Sequence, residues 1–193
     1  VYKRQTPPRL TRPFFRVVDE VLRKLRVVYV CDGVDPYDNG LDARRVGLPV
    51  RARGFGWRKL EDTAVPAYLG GVDLALRQCA DYGSPVVREL LGAASYGPGG
   101  TWHQRILDSG VPMAVEVESA FAELIEMAGG TAAMEEAGMP GELAQMDQGS
   151  REEGVRVQRQ ALRVVERRAK AELDAACRER GARADPSRHA FME

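Results

Sequence analysis

The stretch from Pro13 to Gly33 constrains the fold more than any other part of the chain. Phe14, Val17, Val18, Val21, Leu22 and Leu25 recur at the spacing of one helix face, with Arg16, Glu20, Arg23 and Lys24 opposite. Pro13 suits the first turn of such a helix, where a missing N–H leaves no bond unmade. Val27-Val28-Tyr29-Val30-Cys31 follows without a break. Short, apolar and β-branched, this run predicts a buried parallel strand. A helix feeding directly into such a strand predicts an α/β sheet. The strand ends at Asp32-Gly33, ahead of a polar turn containing Pro36. Ligands of open α/β sheets bind outside the carboxyl ends of the strands, which makes Asp32 the first candidate site residue. A carboxylate there suits Mg²⁺ or Mn²⁺, which prefer oxygen ligands; the plainer alternative is an Asp-Gly turn that only ends the strand.

The rest of the composition narrows the class. The chain has 193 residues, of which 44% are hydrophobic, enough to bury the core of one domain. Lys and Arg together number 28, as do Asp and Glu, which excludes a uniformly basic tail or an acidic disordered chain. No run of 18 apolar residues predicts a membrane span, and no leader pattern predicts export, so an intracellular protein is expected, nuclear if its source is a eukaryote. Cys31, Cys79 and Cys177 are odd in number and form no CxxC pair, which argues against a disulfide framework or a zinc site. Cys31, inside the expected strand, reads as a small buried hydrophobe. With only His103 and His189, any metal chemistry falls to carboxylates. His103 reads as a packing or loop histidine, and the methionines between 113 and 146 as core filler.

Charge is unevenly spread. Residues 1–60 carry a net +8, residues 61–107 a net −2, residues 108–150 a net −9 and residues 151–193 a net +3. Two basic ends flank an acidic middle, so polyanions would be drawn to the ends and repelled by the centre. Residues 1–5, Val-Tyr-Lys-Arg-Gln, read as a translated sequencing adapter and are set aside, with the chain expected to be a piece of a longer one. Residues 41–59 carry six Lys/Arg among glycine and proline breakers and predict a basic loop or broken helix. Helices are expected over 72–82, over 85–94 with Ser84 as cap, and over 112–128, ended by Gly129-Gly130. The longest helical pattern is 151–180, with Leu162, Val165, Ala169, Leu173 and Ala176 as its apolar stripe. Gly97 to Thr101 is glycine-rich but lacks the Gly-Lys-Ser/Thr of a P-loop.

Taken together, the helix from Phe14, the run Val27–Cys31, Asp32-Gly33, Pro36 and then Gly40-Leu41-Asp42-Ala43-Arg44-Arg45 resemble the XPG/flap-endonuclease family. A basic helix, Gly181 and the terminal Phe191-Met192-Glu193 are similar to that family's second acidic motif. The resemblance implies a PIN-like parallel sheet flanked by helices, with a largely helical insertion. Residues 6–60 would form its N-terminal part with a basic arch-like segment, 61–150 the insertion, and 151–193 the helix leading to the second motif. It also implies a divalent-metal-dependent, structure-specific nuclease acting on DNA or RNA, inactive as this piece alone. Asp32 and Glu193 would be catalytic metal ligands for two Mg²⁺ or Mn²⁺ ions, which clamp the scissile phosphate and activate water. Arg44, Arg45, Arg51 and Arg53 would contact phosphates.

Two other readings fit parts of the same pattern. A serine recombinase also has a strand of the type Val-Val-Tyr-Val-Cys-Asp-Gly-Val-Asp. From a different class, a non-catalytic module could use the same surfaces to bind nucleic acid or protein.

Overall fold

Two prolines open the first helix. Pro7 lies in extended backbone just before it and Pro8 takes its first position. In the computed structural model the chain is described over residues 6–31, 33, 35, 40–52, 54–81, 112–143 and 157–181. There α1 spans Pro8–Tyr29, α2 Gly40–Val46, a 3-10 turn Val50–Ala52, α3 Leu60–Asp81, α4 Pro112–Ala128, α5 Thr131–Glu136 and α6 Val157–Gly181. No strand occurs among the described residues.

The expected α/β, PIN-like sheet is therefore corrected to helices throughout the described residues. The expected strand 27–31 is the last turn of α1 and its exit. Nothing in Leu25-Arg26-Val27 breaks the helix, and the weak helix preference of valine amounts to a few tenths of a kcal/mol per residue. A helix already propagating gains a hydrogen bond for each residue added, which outweighs that preference. The end is closed by the N–H groups of Val30 and Cys31, which both donate to the Arg26 carbonyl, and by Gly33, which donates to Val27 at 2.9 Å with φ +82°. Cys31 is consequently half-buried just past a helix end, not a strand core residue. Pro13 also moves: it lies inside α1, where its ring replaces the bond to the Arg9 carbonyl.

Other expectations fare differently. The helix over 112–128 is α4, and Gly129 and Gly130, at φ +91° and +119°, end it by returning their N–H groups to Ile125. The helix expected over 72–82 begins twelve residues earlier, at Leu60. Residues 41–59 are a broken helix, as expected. The long C-terminal pattern is α6, although 151–156 lie outside the described residues. So does everything expected between 82 and 111, including Ser84, His103 and the glycine-rich stretch.

The main core sits where α3, α4, α5 and α6 meet. Val65, Tyr68, Leu69 and Val72 of α3 pack with Val117, Phe121 and Leu124 of α4, Met134 of α5, Met139 beyond it, and Val157, Ala161 and Val164 of α6. Met134 and Met139 are fully buried gap-fillers, as read for the methionines, whereas Met113 is exposed and Met146 lies outside the described residues. Gly70 lets α3 and α6 approach closely. A Cβ at that position would lie 2.4 Å from the Cβ of Gln158 and 2.9 Å from its backbone nitrogen. The face of α6 turned to this core is Val157, Gln160, Ala161 and Val164. Of the expected stripe, Leu173 is buried and Ala176 half-buried, while Leu162, Val165 and Ala169 are half-buried and line a smaller cavity beside Val46 and Leu48.

Candidate functional site

The anticipated metal ligands, Asp32 and Glu193, and the anticipated phosphate contact Arg53 lie outside the described residues. Among the described residues no three His, Cys, Asp or Glu side chains converge as a cation site, so they do not supply the carboxylate set that a pair of divalent ions needs.

Arg44, Arg45 and Arg51 are described, and the structure shows what two of them hold. Arg44, on α2, donates Nη1 to the Glu172 carbonyl of α6 at 3.0 Å. Arg51 donates Nη2 to Glu166 Oε2 at 2.8 Å, while Arg58 donates to Glu166 Oε1. Glu166 is thus the shared acceptor of two arginines, with only 16% of its side chain exposed. Arg45 is half-buried on the inner side of α2. Arg44, Arg51 and Arg58 fasten the basic segment to α6. The apolar pair Val46 and Leu48, each 1% exposed, completes the attachment.

α1 carries the second set of charged contacts, all on one side. Arg9 donates Nε to Glu116 of α4 at 2.6 Å, and Arg12 donates to Glu123, about two turns further along α4. Arg16 donates to Glu61 of α3 at 2.9 Å. The Asp19 carboxylate accepts from the N–H groups of Leu60 at 2.8 Å and Glu61 at 3.0 Å, capping α3 from 41 residues away in sequence. Arg23 donates to Asp35 at 2.7 Å, and the Arg26 guanidinium lies 5.3 Å from the ring centre of Trp57. The hydrogen bond from Arg9 holds the Glu116 carboxyl below its ordinary pKa.

The opposite side of α1 is apolar and open. Leu10, Phe14, Val17, Val21, Leu25 and Val28 expose 48 to 64% of their surface. Phe15, Val18 and Leu22, at the margin of this face, are half-buried against the body. The amphipathic helix was legible in the sequence, but its orientation was not: α1 turns much of its apolar face away from the core. The charge asymmetry, read in the sequence only as attraction and repulsion of polyanions, is the signal that could have shown it. A basic N-terminal block needs carboxylates, and the acidic block 108–150 supplies Glu116 and Glu123.

Between α1, α2 and the start of α3 lies a cleft of about 340 Å³. Arg16, Arg23, Arg26 and Lys59 line it, against Asp19, Glu20 and Glu61. Cys31 and Cys177 are outside any disulfide, and no described helix is long and apolar enough to cross a membrane. Comparison of the chain with protein-family models, curated proteins and solved structures finds no match to any of them.

Proposed function

We propose that the chain is a non-catalytic helical binding module that works through the open apolar face of α1. The observation that carries this reading is the pairing of two facts about one helix. Its charged side is tied to α3 and α4 by ion pairs from Arg9 to Arg16, and its apolar side faces outward. A contiguous apolar patch of this kind marks a binding surface on a water-exposed molecule. The alternative orientation would bury the stripe and leave the arginines to water, and the carboxylates of α3 and α4 oppose it.

The test is an environment-sensitive apolar dye added to the chain at sub-micromolar concentration. The wild type should enhance dye emission, and Val17→Asp with Val21→Asp should lose most of the enhancement with unchanged helical circular dichroism. Equal emission from both proteins would refute the reading.

A second reading, binding of a polyanion such as DNA, is favoured by the cleft that gathers Arg16, Arg23, Arg26 and Lys59. Metal-dependent phosphodiester cleavage stands as a proposal on the family resemblance alone, with Asp32 and Glu193 as its ligands.

A further inference from the structure

Leu10, Phe14, Val17, Val21 and Val28 alternate four, three, four and seven residues apart, the spacing of the a and d positions of a heptad. Leu25 widens the stripe beside Lys24, which occupies the remaining d position. From Leu10 to Val28 the stripe runs straight for about 27 Å. We propose that it is a self-complementary interface, on which α1 of a second copy of this chain packs antiparallel. The proposal rests on the binding-module reading and names its partner.

Three observations select this occupant. The first is area. From the exposed fractions of its six apolar residues, the stripe offers roughly 600 Å² per copy, at the top of the range for a lone monomer patch. Two copies would together remove about 1,200 Å², the lower bound for a stable interface, and Tyr29 and Val30 extend the surface at the C-terminal end of the helix. The second is charge within the seam. Lys24, at the border between the stripe and the charged side, is its one charged residue; it is 75% exposed and lies 3.6 Å from Glu20 Oε1 of its own helix. Parallel packing would set Lys24 against the partner's Lys24. A two-fold axis between Val17 and Val21 instead sets Lys24 over the partner's Phe14, where the ring face attracts a cation. The same axis pairs Val17 with the partner's Val21 and Leu10 with the partner's Val28. The third is the flank. The arginines that would meet anionic lipid headgroups lie on the far side of α1, joined to Glu116, Glu123, Glu61 and Asp35, which disfavours a membrane surface as occupant.

The experiment is light scattering after size exclusion from roughly 1 to roughly 100 µM, together with cysteine cross-linking. The wild-type chain should elute as a species of twice its 21.3 kDa mass, and Val17→Asp with Val21→Asp should halve that mass. With Cys31, Cys79 and Cys177 replaced by serine, Leu10→Cys chains mixed with Val28→Cys chains should form a disulfide-linked pair. Leu10→Cys chains alone should not. The cross-link does not depend on the aspartate variant folding. A wild-type monomer at the highest concentration overturns the proposal: with dye binding intact only the second copy is refuted, and with dye binding absent the binding-module reading fails as well. A monomer that sediments with phosphatidylserine vesicles makes the membrane the occupant and overturns it too. Dominant Leu10→Cys self-linking overturns the antiparallel arrangement.

Discussion

Gly70 is the residue where the smallest side chain has the largest consequence. Helix α3 reaches α6 at this position so closely that an added methyl would meet both the Cβ and the backbone of Gln158. Backbone cannot swing aside as a long side chain can, so relief requires the two helices to separate. That separation would loosen Leu69, Val157 and Ala161, all within the main core. Gly70→Ala should therefore destabilise the chain by about 1–3 kcal/mol, despite the better helix propensity of alanine. Urea unfolding measures this directly, and an unchanged or higher midpoint would show that α3 and α6 are less tightly apposed. Asp19 poses a similar problem of distance. It caps a helix that begins 41 residues later, so no local motif announces it. Residues whose roles are set by a partner far along the chain were the ones that could not be anticipated.

Elements with both ends marked were legible. α4 begins at Pro112 and ends at two glycines of positive φ, and its boundaries follow from those local signals. α1 was legible as a helix but not in its length or its facing. Its C-terminal valines favour extended backbone only slightly, and the preceding turns carried them into the helix. Its facing depended on Glu61, Glu116 and Glu123, which lie on other elements. The candidate site was legible only in part: Phe14, Val17, Val21 and Leu25 were read on one helix face, but Leu10 and Val28 fell outside the expected helix, and the exposure of that face was not visible. This dependence gives α1 a pH response. Glu116 is held below the ordinary carboxylate range chiefly by the hydrogen bond from Arg9. A carboxyl with a depressed folded-state pKa contributes stability in full above its unfolded value, near 4.3, and loses it as pH falls through the folded one. Amide-exchange protection of α1 relative to the main core should thus hold from pH 7 to about 5 and decline below about 4. Arg9→Ala should blunt that decline. Equal acid sensitivity in the two proteins would place the effect elsewhere.

At the scale of the molecule, the net charge of zero comes from blocks that meet. The basic block 1–60 is distributed over α4 through Arg9 and Arg12, over α3 through Arg16, and over α6 through Arg44, Arg51 and Arg58. A groove waiting for a polyanion would instead leave such arginines without acceptors on other elements. Glu166 decides between these roles for Arg51 and Arg58, because both converge on its two carboxylate oxygens. If the pair serves to fasten the basic segment to α6, Glu166→Gln removes the charge that holds them and leaves two like charges side by side. The expected loss is about 1–2 kcal/mol, modest because Arg51 is 72% exposed and solvent screens it. If the pair instead serves a nucleic acid, removing Glu166 should leave stability nearly unchanged. It should then raise affinity for duplex DNA and steepen the fall of binding with salt by about one unit of slope per arginine released. Urea unfolding and a salt titration on the same protein separate the two. A lower unfolding midpoint with unchanged DNA affinity is the expected result, and the reverse would return Arg51 and Arg58 to phosphate contact.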